Sequence, residues 1–86
     1  MSDEWIDLFR LNISPEIVER MPASVARECC AIPIAEDRGL LVVAIADTDD
    51  LDTRAKLDFV LNSLVRLVPA TPQAIQFALQ KYYSAP

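Results

Sequence analysis

One uninterrupted apolar run, Leu40-Leu41-Val42-Val43-Ala44-Ile45-Ala46, governs what this chain can become. It is the most β-prone stretch of the sequence, rich in branched side chains that pack well on a pleated surface. A strand with one wet face alternates apolar and polar residues. This run does not, so it is expected to be buried on both faces, at the centre of a sheet. Just before it stands Glu36-Asp37-Arg38-Gly39, which holds the only glycine of the chain, placed where a tight turn needs a positive φ. Upstream, Ala31-Ile32-Pro33-Ile34 reads as the partner strand of a hairpin. Pro33 has no N–H for the ladder, so that strand is expected to be free or bulged on one side there.

Helix starts are written on either side of the hairpin. Ser14-Pro15-Glu16 combines a capping hydroxyl, a proline that suits the first helical position and an acid that complements the helix dipole. Pro22 closes that short helix and opens a second one through about Cys29, with Val18, Met21 and Val25 facing inward. Asp47-Thr48-Asp49-Asp50-Leu51-Asp52 offers several caps for a third helix from about Leu51 to Asn62. Its expected inner face is Leu57, Val60, Leu61 and Leu64. A third strand, Val65-Arg66-Leu67-Val68-Pro69, comes next. Thr71-Pro72-Gln73 then starts a last helix with Ile75, Ala78, Leu79 and Tyr82 on one face and Lys81 near its negative end. Together with a helical opening segment, the order is α-α-α-β-β-α-β-α. The fold class is α+β: a small three-stranded mixed sheet with a β-hairpin, packed against helices.

Composition narrows the function. A length of 86 residues leaves room for one domain, and 52% hydrophobic residues make it a folded one. The net charge of −5 speaks against nucleic acid and against anionic membrane surfaces, both of which call for clustered Lys and Arg. The sequence has no histidine, which removes His-based triads and most zinc sites. With a single glycine it has no glycine-rich phosphate loop either. The start, Met-Ser-Asp-Glu-Trp, is acidic where a signal peptide would be basic, and no apolar run reaches the ~20 residues of a spanning helix. The expected setting is the cytoplasm.

The candidate chemical sites are few. Cys29 and Cys30 are neighbours, do not have the spacing of a zinc or redox motif, and read as small apolar residues near a helix end. The cluster Asp47, Asp49, Asp50 and Asp52 has acids at alternating positions, as a calcium loop does, but lacks that loop's glycine and its bidentate Glu. It reads as capping. No catalytic residue, metal ligand or cofactor is assigned. The apolar residues left over are the informative ones. In residues 1–12, Trp5, Leu8 and Phe9 share a face if the segment is helical. They either fold back as an extra layer or dock a partner, and aromatic side chains are favoured interface anchors. Trp5 and Phe9 are the first candidates for partner binding, and Tyr83 is the third.

From Ile13 to Tyr83 the chain resembles the N-terminal domain of the type II secretion and type IV pilus assembly ATPases (the general secretory pathway protein E family). Ile13-Ser14-Pro15-Glu16-Ile17-Val18 and Met21-Pro22-Ala23-Ser24-Val25-Ala26-Arg27 are similar to that domain's paired helices. Ala31-Ile32-Pro33-Ile34 and Leu41-Val42-Val43-Ala44-Ile45-Ala46-Asp47 are similar to its first strands. Val68-Pro69-Ala70-Thr71, Ile75 and Lys81-Tyr82-Tyr83 are similar to its last strand and helix. The resemblance implies a secretion-ATPase N-terminal-like domain over residues 13–86. Such a domain docks on protein partners of the secretion or pilus apparatus and lies peripheral to the inner membrane. Some members bind cyclic-di-GMP through a preceding Arg-Leu-Gly motif. Here Arg10-Leu11-Asn12 has Asn for Gly, and nucleotide binding is not carried over. The family's nucleotide-hydrolysing motifs are missing, so ATP hydrolysis is not carried over either.

The expected function is therefore a non-enzymatic adaptor or regulatory domain of a secretion, pilus or related motility system. The alternative is a ligand-sensing domain for a cyclic dinucleotide. A stand-alone regulator competing with a full-length ATPase for its docking site is a third form. The initiator Met and the absence of tag sequence lead to the expectation of a whole small protein rather than an excised domain.

Overall fold

The structure is a computed structural model that describes residues 8–62 and 64–83. Its elements are α1 (Pro15–Val18), α2 (Ala23–Cys29), β1 (Ala31–Asp37), β2 (Leu40–Ile45), α3 (Leu51–Leu61), β3 (Leu64–Pro69) and α4 (Pro72–Tyr83). From Pro15 onward this is the expected order. Of the opening segment, Leu8–Arg10 form a turn, and Trp5 lies outside the described residues.

The sheet order is β1-β2-β3, so the apolar run occupies the centre. Leu41, Val43, Ala44 and Ile45 are all buried. Burying a Leu, Val or Ile side chain of this kind contributes about 1.5–3 kcal/mol relative to leaving it in water. β1 and β2 are antiparallel, from Ala31 opposite Ile45 to Asp37 opposite Leu40. Arg38 (φ 55°) and Gly39 (φ 82°) join them, both with positive φ, as the two-residue turn that matches strand twist requires. Pro33 pairs with Val43 and Ala35 with Val42, leaving Ile34 as the extra residue of a bulge beside the proline. β3 runs parallel to β2, and a parallel pair needs a crossover, which α3 supplies.

Asp50 accepts the Thr53 N–H (3.2 Å) and the Thr53 hydroxyl (2.8 Å), fixing the start of α3. These bonds hold its carboxyl below the usual carboxylate range, the Thr53 hydroxyl first. Thr71 does the same for α4 by accepting the Ala74 N–H at 3.2 Å. Ser14 behaves differently from expectation. Its hydroxyl makes no cap bond; its carbonyl accepts from the Ile17 and Val18 amides instead. α1 is only four residues long, so a backbone turn suffices to start it.

α1, α2 and α4 pack on the β1–β2 hairpin, and α3 packs on β3. Met21, Ala26, Ala74, Ile75, Ala78 and Leu79 enter the core, and so does Leu8. The expected inner face of α3 is corrected here. Leu57 is buried and Leu61 partly so, but Val60 is exposed and Leu64 belongs to β3, where it is 74% exposed. An i, i+3, i+4, i+7 pattern continued past the helix end selects nothing once Asn62 turns left-handed (φ 52°) and caps the helix.

Candidate functional site

The outer face of α4 carries an aromatic cluster built from both ends of the chain. Phe77 projects from α4, and Phe9 comes to it from the opening turn, with ring centroids 4.8 Å apart and planes tilted by 39°. Lys81, one helical turn beyond Phe77, places Nζ 5.9 Å from the Phe77 centroid and 5.2 Å from that of Tyr82. An ammonium at such distances is attracted by the negative faces of the rings. Phe9 remains 53% exposed, and Phe77 is also exposed. Leu8 and Phe9, expected on one face, are divided by the turn: Leu8 goes into the core and Phe9 onto the surface.

Beside the cluster lies a cleft of about 390 Å³ lined by Ile13, Pro15, Val18, Glu19, Lys81 and Tyr82. Tyr82 forms one wall and also ties the opening segment down. Its hydroxyl donates to the Leu11 carbonyl (3.1 Å) and accepts the Ile13 N–H (3.1 Å). The cleft is mostly apolar with one charge of each sign, Glu19 and Lys81. That suits an apolar anchor of a partner with a polar rim. A second cleft of about 410 Å³, lined by Arg27, Gln76, Leu79 and Gln80, is less apt for this. Its one cation is engaged, the Arg27 guanidinium donating to the Tyr83 carbonyl at 2.5 Å.

Of the three residues singled out from sequence, Phe9 is in the cluster and Trp5 lies outside the described residues. Tyr83 is turned away from the cluster. Its half-buried hydroxyl sits within hydrogen-bond distance of the carbonyls of Val18 (2.9 Å) and Met21 (3.0 Å), holding the connection between α1 and α2. Burial pushes its phenol up to about 12. Lys81 and Phe77 were not singled out. Their i, i+4 spacing on a helix with an inward Ile75/Ala78/Leu79 face was the available signal.

The cysteines do not form a chemical centre. Cys29 is half-buried at the end of α2 and burial raises its thiol, which keeps it protonated. Cys30 is exposed and left-handed (φ 51°, ψ 53°), capping α2 through its amide to the Ala26 carbonyl. Among the described residues no group of three or more His, Cys, Asp or Glu side chains is placed to hold a metal ion. No helix of the described residues is long and apolar enough to cross a membrane.

Comparison with known proteins agrees with this architecture. The MshEN domain family matches residues 4–86. The chain is 32% identical over 80 residues to the type IV pilus assembly ATPase PilB of Thermus thermophilus, covering 91% of this chain and 9% of that protein. It is 25% identical over 79 residues to PilB of Myxococcus xanthus, covering 92% of this chain and 14% of that protein. The chain thus spans a small fraction of the curated relatives it matches. Among solved structures, MshE with cdg superposes with a TM-score of 0.84 at 26% identity, over 92% of this chain and 58% of that one. The N-terminal domain of XpsE superposes with a TM-score of 0.78 at 18% identity, over 92% of this chain and 56% of that one, a likeness of fold.

Proposed function

This chain belongs to the MshEN domain family, and from that premise we propose that it is a non-catalytic docking domain of a type IV pilus or type II secretion ATPase system. It works in the cytoplasm, on a protein partner of that apparatus. The observation that carries this reading is the exposed Phe9–Phe77–Lys81 cluster next to the Ile13/Val18/Tyr82 cleft. Exposed aromatics bordered by an apolar cleft are the usual anchors of protein interfaces. Phe9 is the central anchor, Trp5 is a further anchor by its aromatic character, and Tyr83 contributes by holding the α1–α2 wall. The net charge of −5 favours a partner with a basic patch and speeds encounter.

The test is a pull-down from native lysate read by mass spectrometry, with wild-type, Trp5→Ala and Phe9→Ala baits of unchanged circular dichroism. Secretion or pilus components retained by the wild type and lost with Phe9→Ala support the reading. Equal retention by all three baits removes the cluster from it.

A second reading has one specific observation behind it. MshE, 26% identical to this chain, was solved with cdg. On this reading the domain senses cyclic-di-GMP. The Asn12 that follows Arg10-Leu11 and the shortage of cations speak for the protein-docking reading instead. A rise in melting temperature with cyclic-di-GMP, by mass action, distinguishes the two.

A further inference from the structure

We propose that the outward face of α3 is a second docking surface, and that its occupant is a basic amphipathic helix of a partner protein. The inference extends the docking reading above to a face that does not include the aromatic cluster.

α3 is apolar on two sides. Leu57 is buried and marks the inner side. Leu51, Ala55 and Phe59 recur at i, i+4 and i+8, a stripe that at 100° per residue lies opposite Leu57. All three are exposed, Leu51 at 74% and Phe59 at 86%. Leu64, two residues beyond the helix cap, is a further exposed leucine. A surface helix normally confines its apolar residues to the side facing the core. A helix with a second stripe has a second face to cover.

Charge decides what covers it. The same side of α3 carries Asp52 and Asp58, both exposed, and among the described residues neither forms an ion pair. The two cations of α3 are engaged elsewhere. Arg54 donates to the Val65 carbonyl at 3.1 Å, and Lys56 pairs with Glu28 of α2 at 2.5 Å. Within α3 the residues that flank the stripe most closely are therefore acidic, and the two cations of the helix are held in other contacts. A second copy of this chain would bring carboxylates against carboxylates, and an anionic surface would be repelled. A partner helix with an apolar stripe bordered by Lys and Arg is complementary on both counts.

The probe is a 16-residue helical peptide with Leu at i, i+3, i+4, i+7 and i+11 and Lys at the flanking positions, beside the same peptide with Glu for Lys. Both are titrated into the ¹⁵N-labelled protein at 50 mM salt and followed by NMR. The expected result is saturable shifts on Leu51, Asp52, Ala55, Phe59 and Leu64 with the Lys peptide alone. Affinity should fall at least about ten-fold in Phe59→Ser and about five-fold in Asp52→Asn/Asp58→Asn, with circular dichroism unchanged. No saturable shifts, equal binding of the two peptides, shifts centred on Phe9 and Phe77, or dimerisation through α3 without peptide would each overturn the proposal. The pull-down separates this from the broader reading. If pilus or secretion components are retained equally by wild type and Phe59→Ser, the α3 proposal fails and the docking reading stands. If none is retained while the Lys peptide binds α3, the reverse holds.

Discussion

Replacing Tyr82 by Phe removes one oxygen and tests how the opening segment is held to the domain. That hydroxyl accepts the Ile13 N–H and donates to the Leu11 carbonyl, both at 3.1 Å. Each such bond contributes about 1 kcal/mol net, and a donor left dry costs more. Here the neighbouring cleft lets water reach the orphaned groups, so the combined loss should be about 1.5 kcal/mol rather than the ~3–4 kcal/mol of a sealed site. For a chain of 86 residues, an unfolding entropy of ~2.1 cal/mol/K per residue converts this into a drop in Tm of about 8 °C. Urea denaturation gives the free energy, with an unchanged m-value. Hydrogen exchange gives the location: β2 amides that open through global unfolding should exchange about ten-fold faster, as a loss of ~1.5 kcal/mol requires, while the Ile13 amide, which also loses its acceptor, should speed up by clearly more. A stability change below ~0.3 kcal/mol with unaltered Ile13 protection would refute the role given to Tyr82. So would an Ile13 amide that speeds up no more than the β2 amides.

Four further outcomes rest on particular side chains. Leu57→Ala should cost about 2–4 kcal/mol, because the side chain is fully buried. Phe59→Ala, two residues on and 86% exposed, should stay within about 0.5 kcal/mol; denaturant melts of the pair check both. Tyr83 has a phenol raised from its ordinary value of 10.0 to about 12 by burial, so its contribution is fully present below about pH 10 and is lost as pH rises through about 12. Melts at pH 8, 10 and 11 should show a decline in the wild type that Tyr83→Phe lacks. Iodoacetamide followed by peptide mass mapping should label the exposed Cys30 well before the half-buried Cys29, whose raised thiol is poorly nucleophilic.

Where local chemistry decides, the sequence was readable. The unbroken apolar run, rich in branched residues, read as a central strand and is one. Gly39 at the end of Glu36-Asp37-Arg38-Gly39 read as a tight turn, Pro33 as a free or bulged point of its strand, and Thr71-Pro72 and the acidic run around Asp50 as helix caps, and the structure has a turn at Arg38-Gly39, a bulge beside Pro33 and caps from Thr71 and Asp50. α3 was opaque for a physical reason. It has apolar residues at Leu51, Ala55, Leu57, Phe59, Val60 and Leu61, which cover more than one side, so spacing could not say which side meets the sheet. Packing on β3 chose Leu57 and left Phe59 outside. Leu8 and Phe9 were opaque in another way, since a turn rather than a helix sends adjacent residues to opposite environments. The candidate site was half legible. Phe9 was found as an exposed aromatic, but its neighbours Phe77 and Lys81 come from α4, and nothing local links residues so far apart in the chain.

On the proposed function, this MshEN domain is a docking module that meets its partner through the Phe9–Phe77–Lys81 cluster and the adjoining cleft. Hydrogen-exchange mass spectrometry on the domain, free and bound to the component captured in the pull-down, tests it most directly. Slowed exchange is expected in residues 8–19 and 72–83, with or without added protection over 51–62, and no slowing at the hairpin turn 36–39. Protection confined to the hairpin, or a complex that leaves residues 8–19 and 72–83 unchanged, would contradict it.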